Sequence, residues 1–459
     1  MPIKHPFQSI ITNKEGDLLF TATKNELQVF ELKTGERVGH WVDVFDSTEL
    51  LREKITKEQQ RQLKANEEKA AAEAKAKAAL LTEEEATATP EPTTTTTTEE
   101  PTKKKRKSNN SEPKVPTPGS GAPTIYNYIR QIKLSNDETK LVVITDSDKA
   151  AVVFQLNYDN NDNNVLELLK RQPFPKRPNA ITTSNDDTEI IMGDKFGDVY
   201  KFAIADPEIK TFVGETDPLL GHVSMLTGVA LAKNQLNQDV IITTDRDEHI
   251  RISQYPQASI IDKFLFGHES FISSVLIPNF DKSLLISGGG DEFICLWNWY
   301  EGKELDRFQL GEMIQPYLSD LHLAPSKFQN ESGDLKEYCV AKIVELTQIN
   351  SVAVLIESTN VVLVLKITDS YKLELDQVIQ FDSPVTDICA SNFKLIVSLE
   401  SQENLIQIVD IENKSIDQEQ ESKDAVAKIT ADSLVEVESK EQFYPLYTIY
   451  QLKKRSEFS

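Results

Sequence analysis

Two stretches of the chain repeat each other. Residues 219–255 read LLGHVSMLTGVALAKNQLNQDVIITTDRDEHIRISQY, and residues 265–299 read LFGHESFISSVLIPNFDKSLLISGGGDEFICLWNW. Gly221 and His222 align with Gly267 and His268, 46 positions on. Thr243 aligns with Ser287, Asp247 with Asp291 and Ser253 with Trp297, with six residues from aspartate to last position in both. The two-residue difference in length falls where a loop can absorb it. A unit repeated at this spacing cannot bury its own apolar face and must stack on others of its kind. The chain is therefore constrained to an array.

The rest of the sequence carries the same rhythm. Short runs such as KLVVITDS, AAVVFQL, DVYKFAI, SVAVLIES, VVLVLKI and LIQIVDI recur in pairs, separated by Asp, Asn, Gly, Ser or Lys. That is strand, tight turn, strand, with helical periodicity missing outside one segment. Two pairs per forty to fifty residues predict four-stranded units.

The aligned pair resembles the WD40 repeat: a Gly-His start, Ser or Thr in the second strand, Asp in the next turn and Trp closing the third. The resemblance implies a hydrogen-bonded chain in each blade, which holds only if every member is satisfied. His268, Ser287, Asp291 and Trp297 are expected to form one. His222, Thr243 and Asp247 are expected to form another that lacks its last member, because Ser253 replaces the tryptophan. Units at 6–41, 124–160, 166–206, 218–265, 266–310, 338–380 and 381–416 predict an all-β, seven-bladed WD40-type β-propeller. Closure removes exposed sheet edges, and either YPLYTIYQL near the C-terminus or HPFQSII near the N-terminus is expected to complete the ring.

One segment breaks the pattern. Residues 47–123 begin with helix-forming Ala, Glu, Lys and Gln and pass into TATPEPTTTTTTEEPTKKKRKSNNSEPKVPTPGSG. Prolines, a threonine tract and separated charge blocks cannot offset the entropy of ordering. A partly helical, then disordered insertion is expected between the first two blades. The division is 1–46 for the first blade, 47–123 for the insertion, 124–450 for the other blades and 451–459 for a basic tail. Within the insertion Lys103, Lys104, Lys105, Arg106 and Lys107 form an unbroken cationic run. It is either a solvated charge block or an exposed import signal or RNA-contacting arm; import, and hence a nuclear location, is the expectation adopted.

The charge balance narrows the function. With 73 acidic against 50 basic residues, net −23, the chain is unsuited to coating nucleic acid by itself. Cys295, Cys339 and Cys389 are scattered in apolar runs, which suits buried free thiols. The N-terminus has no apolar segment long enough for a signal peptide, and VVLVLKI is too short to span a bilayer; a soluble intracellular protein is expected. No GxSxG elbow, phosphate loop or HExxH occurs, and GGGDE at 288–292 falls on a turn between antiparallel strands. The acids of TTDRDEHIRIS at 243–253 lack the alternating ligand spacing of a calcium loop, so no metal is expected. A methyl-donor site would need a βαβ unit, which this chain lacks. These readings point to a binding module.

A closer resemblance lies in GHVSMLTGVAL, IITTDRDEHIRIS and FLFGHESFISSV, together with MGDKFGDVYKF at 192–202. These are similar to the non-catalytic WD-repeat subunit of the eukaryotic tRNA (guanine-N7-)-methyltransferase. The similarity is dense over about 190–300 and looser over the other blades, and it does not cover the insertion. Its most specific piece is the string from Asp245 to Arg251. The resemblance implies a heterodimer with a catalytic subunit that forms N7-methylguanosine in the tRNA variable loop. It implies that S-adenosylmethionine sits on that partner, this chain holding no cofactor, and that tRNA is met through the complex. Strand alternation puts Ile250 and Ile252 on one face and Arg251 on the other. Arg251 is either solvated or pairs with an acid of the partner; the latter is adopted, with Lys195 and Arg246 as further candidates. Lys453, Lys454 and Arg455 form a solvated tail or an RNA backbone contact. The competing reading is a general interaction scaffold, such as a ubiquitin-ligase substrate receptor or a chromatin-associated propeller.

Overall fold

Runs such as Ile190–Met192 and Val361–Leu365 are apolar at consecutive positions, which suits strands covered on both faces. The computed structural model describes residues 2–44, 128–158, 164–210, 218–391, 393–443 and 446–455. In it these runs become the middle strands of four-stranded antiparallel sheets, each built from consecutive strands. Seven such sheets form a β-propeller. Blade 1 spans 9–42, blade 2 129–173, blade 3 178–221, blade 4 226–265, blade 5 272–309, blade 6 340–380 and blade 7 385–416. The chain passes from blade 1 to blade 2 between Val44 and Tyr128. The expected insertion, with Lys103 to Lys107, lies outside the described residues.

Blade boundaries differ from the repeat boundaries at two places. Leu166–Pro173 pairs with Ala150–Leu156 and is the outer strand of blade 2, not the start of blade 3. Leu220–Gly221 pairs with Asp198–Ala203 and closes blade 3, so the Gly-His dipeptide sits at a junction rather than at the start of a blade. The repeated sequence is thus offset from the sheet by one strand.

Seven apolar clusters fill the seven gaps between neighbouring blades. Ile250 and Ile252 of blade 4 meet Leu285, Cys295 and Trp297 of blade 5. Leu363 and Leu365 of blade 6 meet Leu284 and Leu296 of blade 5. Side chains of 0–1 % exposure alternate between two partners along one strand, and each large aliphatic group so buried contributes roughly 1.5–3 kcal/mol. All three cysteines are free and buried.

The HPFQSII segment meets blade 7 as the first strand of blade 1, Ser9–Thr12, and among the described residues YPLYTIYQL adds no strand to the ring. Ile3–Lys4 pairs with Glu436–Val437 in a two-stranded latch outside the blades. At the junction of blades 7 and 1, Asp387 accepts from the Ile10 amide at 2.7 Å and from Lys342 Nζ at 2.9 and 3.0 Å. Thr386 and Ser398 donate to the Phe7 carbonyl at 2.7 and 3.0 Å. A helix, Gln420–Asp432, covers the outside of this junction, contrary to the expectation that helical periodicity is missing there. Only Ala425, Val426 and Ile429 supply its apolar face, a stripe too narrow to stand out in the sequence. Gly35, at φ +70°, sits against it, where an added Cβ would lie 2.4 Å from the Ala425 carbonyl oxygen.

Replacing Asp387 with Ala leaves the Ile10 amide and Lys342 without their shared acceptor. The expected cost is about 2 kcal/mol, seen as a lower urea midpoint with unchanged slope. A midpoint equal to the parent's would show that latch and helix close the ring unaided.

Candidate functional site

In an antiparallel blade, the turn between second and third strands lies at the same end as the connection leaving the fourth. Turns 194–197 and 245–249 and the junctions 222–225 and 266–271 therefore share one face, here called the upper face. His268 organises its blade 5 sector. Nδ1 lies 2.7 Å from Asp291 Oδ2, Nε2 lies 2.7 Å from Ser287 Oγ, and Trp297 Nε1 donates to the same hydroxyl at 2.8 Å. His268 and Trp297 are buried, so the chain is dry and each member is satisfied, the condition for such a network to hold a turn rigid.

Blade 4 builds the same chain with a different aspartate. His222 Nδ1 lies 2.8 Å from Asp245 Oδ2 and Nε2 lies 2.8 Å from Thr243 Oγ1. Asp245 takes the place in the network that the repeat spacing assigns to Asp247. Its second oxygen accepts the amides of Asp247 and His249 at 2.8 and 3.1 Å, and this carboxylate turn brings it within reach of the histidine two positions early. Burial alone would raise the Asp245 pKa, but the bonds from His222 and the two amides hold it below the usual carboxylate range. Asp247 is left at the rim, where it accepts from Ser224 Oγ at 2.5 Å and pairs with Lys454.

Arg251 is not an outward cation. It is 8 % exposed, and its guanidinium donates to Ser253 Oγ at 2.9 Å, to the Gly221 carbonyl at 3.0 Å and to the Ala258 carbonyl at 2.9 Å. Alternation correctly turns it away from Ile250 and Ile252, but the opposite face of a middle strand is the gap to blade 3. There Arg251 and Ser253 fill the place that Cys295 and Trp297 hold in blade 5, and burial draws the arginine's pKa down. In blade 5 the equivalent carbonyl, Gly267, is held at 2.9 Å by Arg307, which sequence reasoning missed because it comes from the outer strand.

Arg246 also turns inward on the chain, donating from Nε to the Leu452 carbonyl at 2.6 Å. The basic tail is correspondingly docked: Lys453 and Arg455 reach Glu337 at 3.1 and 2.6 Å. That differs from a solvated tail, and the reason is local. Glu337, Glu357 and Asp247 line the path that the tail follows. Of the three partner-binding candidates only Lys195 is exposed. Its Nζ lies 5.1 Å from the Phe196 ring centroid, and Lys176 Nζ lies 4.6 Å from it.

Around Lys195 the upper rim carries apolar side chains that the sequence did not single out. Phe196 is 54 % exposed, Val223 104 % and Phe266 70 %. They belong to adjoining turns. The His222 amide donates to the Gly197 carbonyl at 2.8 Å, and Arg246 N donates to the Met225 carbonyl at 2.9 Å. His249 packs edge-on at 5.9 and 6.4 Å to Phe264 and Phe266, which stack on each other at 5.5 Å. Phe264 and Phe266 stand two positions apart before Gly267, a spacing that the strand rhythm hides, and Val223 follows no pattern. Among the described residues no group of three or more His, Cys, Asp or Glu is placed to hold a metal ion.

A WD40-type propeller with hydrogen-bonded junctions beneath an exposed apolar rim has the features of a binding module. Comparison with known proteins makes this specific. The family profile described as the tRNA methyltransferase TRM82 WD40 domain matches residues 19–214 and 205–427. A Kluyveromyces lactis protein named tRNA (guanine-N(7)-)-methyltransferase non-catalytic subunit TRM82 is 42 % identical, over 99 % of each chain. The protein of that name from Debaryomyces hansenii is 43 % identical over 99 % of this chain and 100 % of its own, and that from Saccharomyces cerevisiae is 38 % identical over 100 % and 99 %. Among solved structures, "Structure of U3-55K" superposes with a TM-score of 0.52 at 11 % identity, over 87 % of this chain and 90 % of the other. "Crystal Structure of Mitotic Checkpoint Complex" does so at 0.53 and 11 %, over 88 % and 89 %; both speak to the fold alone. The chain belongs to the TRM82 family of non-catalytic tRNA methyltransferase subunits.

The two aspartates of the blade 4 turn separate structure from rim. Asp245→Ala is expected to cost about 2–3 kcal/mol in denaturant unfolding, because it strips a buried histidine and two amides of their acceptor. Asp247→Ala, at a rim ion pair, is expected to cost under about 1 kcal/mol. The reverse order would restore Asp247 to the network.

Proposed function

We propose that this chain binds and stabilises a catalytic, S-adenosylmethionine-dependent subunit, and that the heterodimer forms N7-methylguanosine in the variable loop of tRNA. The observation that carries this reading is the exposed rim of Phe196, Val223 and Phe266 on a chain whose relatives are named non-catalytic subunits. Large apolar groups left in water on a rigid scaffold suit the buried centre of an interface. Lys195 and Lys176 flank it and can meet acids of the partner. The propeller brings no cofactor of its own; the methyl donor belongs to the catalytic subunit, which also carries most of the positive charge that tRNA requires. A net charge of −23 on this chain fits that division.

Arg251 enters this reading through the fold. Holding Gly221 by its carbonyl, it fixes the residue before His222 and hence the base of the Val223 loop. Its loss would weaken partner binding by loosening the rim.

Val223→Glu combined with Phe266→Ser is expected to abolish stoichiometric co-purification with the catalytic subunit, each anchor contributing about 2 kcal/mol or more, while the isolated chain melts as the parent does. Retained co-purification, or recovery of a ligase adaptor in place of a methyltransferase, would overturn the proposal. Location is tested separately. Deletion of residues 103–107 is expected to shift a fluorescently tagged chain out of the nucleus, and unchanged nuclear accumulation would remove the import role.

A further inference from the structure

The first strands of the blades line a central channel, and residues 446–449 lie at one end of it. From there the chain runs across the upper face. Tyr447 Oη donates to Glu400 of blade 7 at 3.0 Å. The amides of Ile449 and Tyr450 each donate to one oxygen of Glu357 in blade 6, both at 2.7 Å. Lys453 and Arg455 then pair with Glu337 on the connection between blades 5 and 6. The path ends on blade 4, where Arg246 takes the Leu452 carbonyl and Asp247 takes Lys454.

Glu357 is the informative contact. It is 6 % exposed, and a carboxylate that deep is costly unless hydrogen-bonded. Burial pushes its pKa above the usual range, against the pull of the Ile449 and Tyr450 amides and the Cys339 thiol. Its two oxygens are matched to consecutive main-chain amides, so it recognises the path of the segment rather than a particular side chain. At the other end, Arg246 and Asp247 are the residues that hold the Val223 loop, through Met225 O and Ser224 Oγ. A continuous line of contacts thus runs from Glu357 through residues 449–454 to Ser224 and Met225, the two residues after Val223.

We infer that residues 446–455 form a strap that holds the blade 4 turn, and through it the Val223 loop, in the conformation the catalytic subunit docks against. The inference rests on the docking reading given above and adds to it that docking depends on Glu337 and Glu357, which lie off the docking rim. The strap supplies order to a junction otherwise built from short turns. Local segments of this kind open more readily than the strands they join.

The test uses the full chain and the catalytic subunit, with Glu357→Gln, Glu337→Ala and a chain ending at residue 445. Amide exchange in the free chains is read at Arg246, Asp247 and His249, with Ile252 in the third strand of blade 4 as the folding control. Exchange at the turn is expected to rise about tenfold in all three variants with Ile252 unchanged, and affinity for the catalytic subunit to fall about tenfold. If truncation also raises exchange at Ile252, the two point variants carry the test. Unchanged exchange at the turn overturns the strap, as does faster exchange with full affinity. Val223→Glu distinguishes the two readings. If it abolishes binding while the strap variants bind normally, only the strap is wrong; if it binds normally, the docking reading has failed and the inference with it.

Discussion

Each blade presses both of its faces against neighbours, and this packing governs what every middle-strand residue can be. Seven inter-blade clusters bury most of those strands on both faces. A polar or charged side chain there must find its partners inside the protein or cost several kcal/mol. Arg251 does so by donating to Ser253, Gly221 and Ala258. Asp245 and Asp291 do so by accepting from histidines that are themselves satisfied by Thr243 and Ser287. Function is thereby excluded from the blades' interiors and displaced to the turns at their ends.

Those turns are rigid for the same reason. The histidine networks reach from the second strand of a blade to the junction with its neighbour, so each ties the position of a rim loop to the core. Phe196, Val223 and Phe266 stand on loops anchored in this way. An apolar surface held in place by these networks binds a partner with less ordering cost than a free loop would. Such a surface supports the proposed docking of a catalytic subunit.

Much of the architecture was legible in the sequence, because strand rhythm and a repeated Gly-His start are local signals of a stacked array. The complete network of blade 5 was legible because all four of its members are present at the spacing of the repeat. What escaped was set by contacts distant in sequence. Asp245 and Asp247 lie two positions apart with the same chemistry, and only the carboxylate turn selects the first. Period-two alternation gave the direction of Arg251 but not that a second blade stands there. The C-terminal segment looked solvated because its acids, Glu337, Glu357 and Asp247, lie between 92 and 207 positions away. The helix Gln420–Asp432 was hidden by an apolar stripe of three residues, and the rim's Val223 by having no pattern at all.

The claim on which the rest turns is that the upper rim of blades 3 and 4 receives the catalytic subunit. Amide exchange of this chain, alone and in the heterodimer, measures it directly. Protection is expected at 194–197, 222–225 and 264–267, with the hairpin turns of the opposite face at 234–238 and 278–283 exchanging as in the free chain. Protection confined to those opposite turns, or to the outer strand of blade 2, would contradict it.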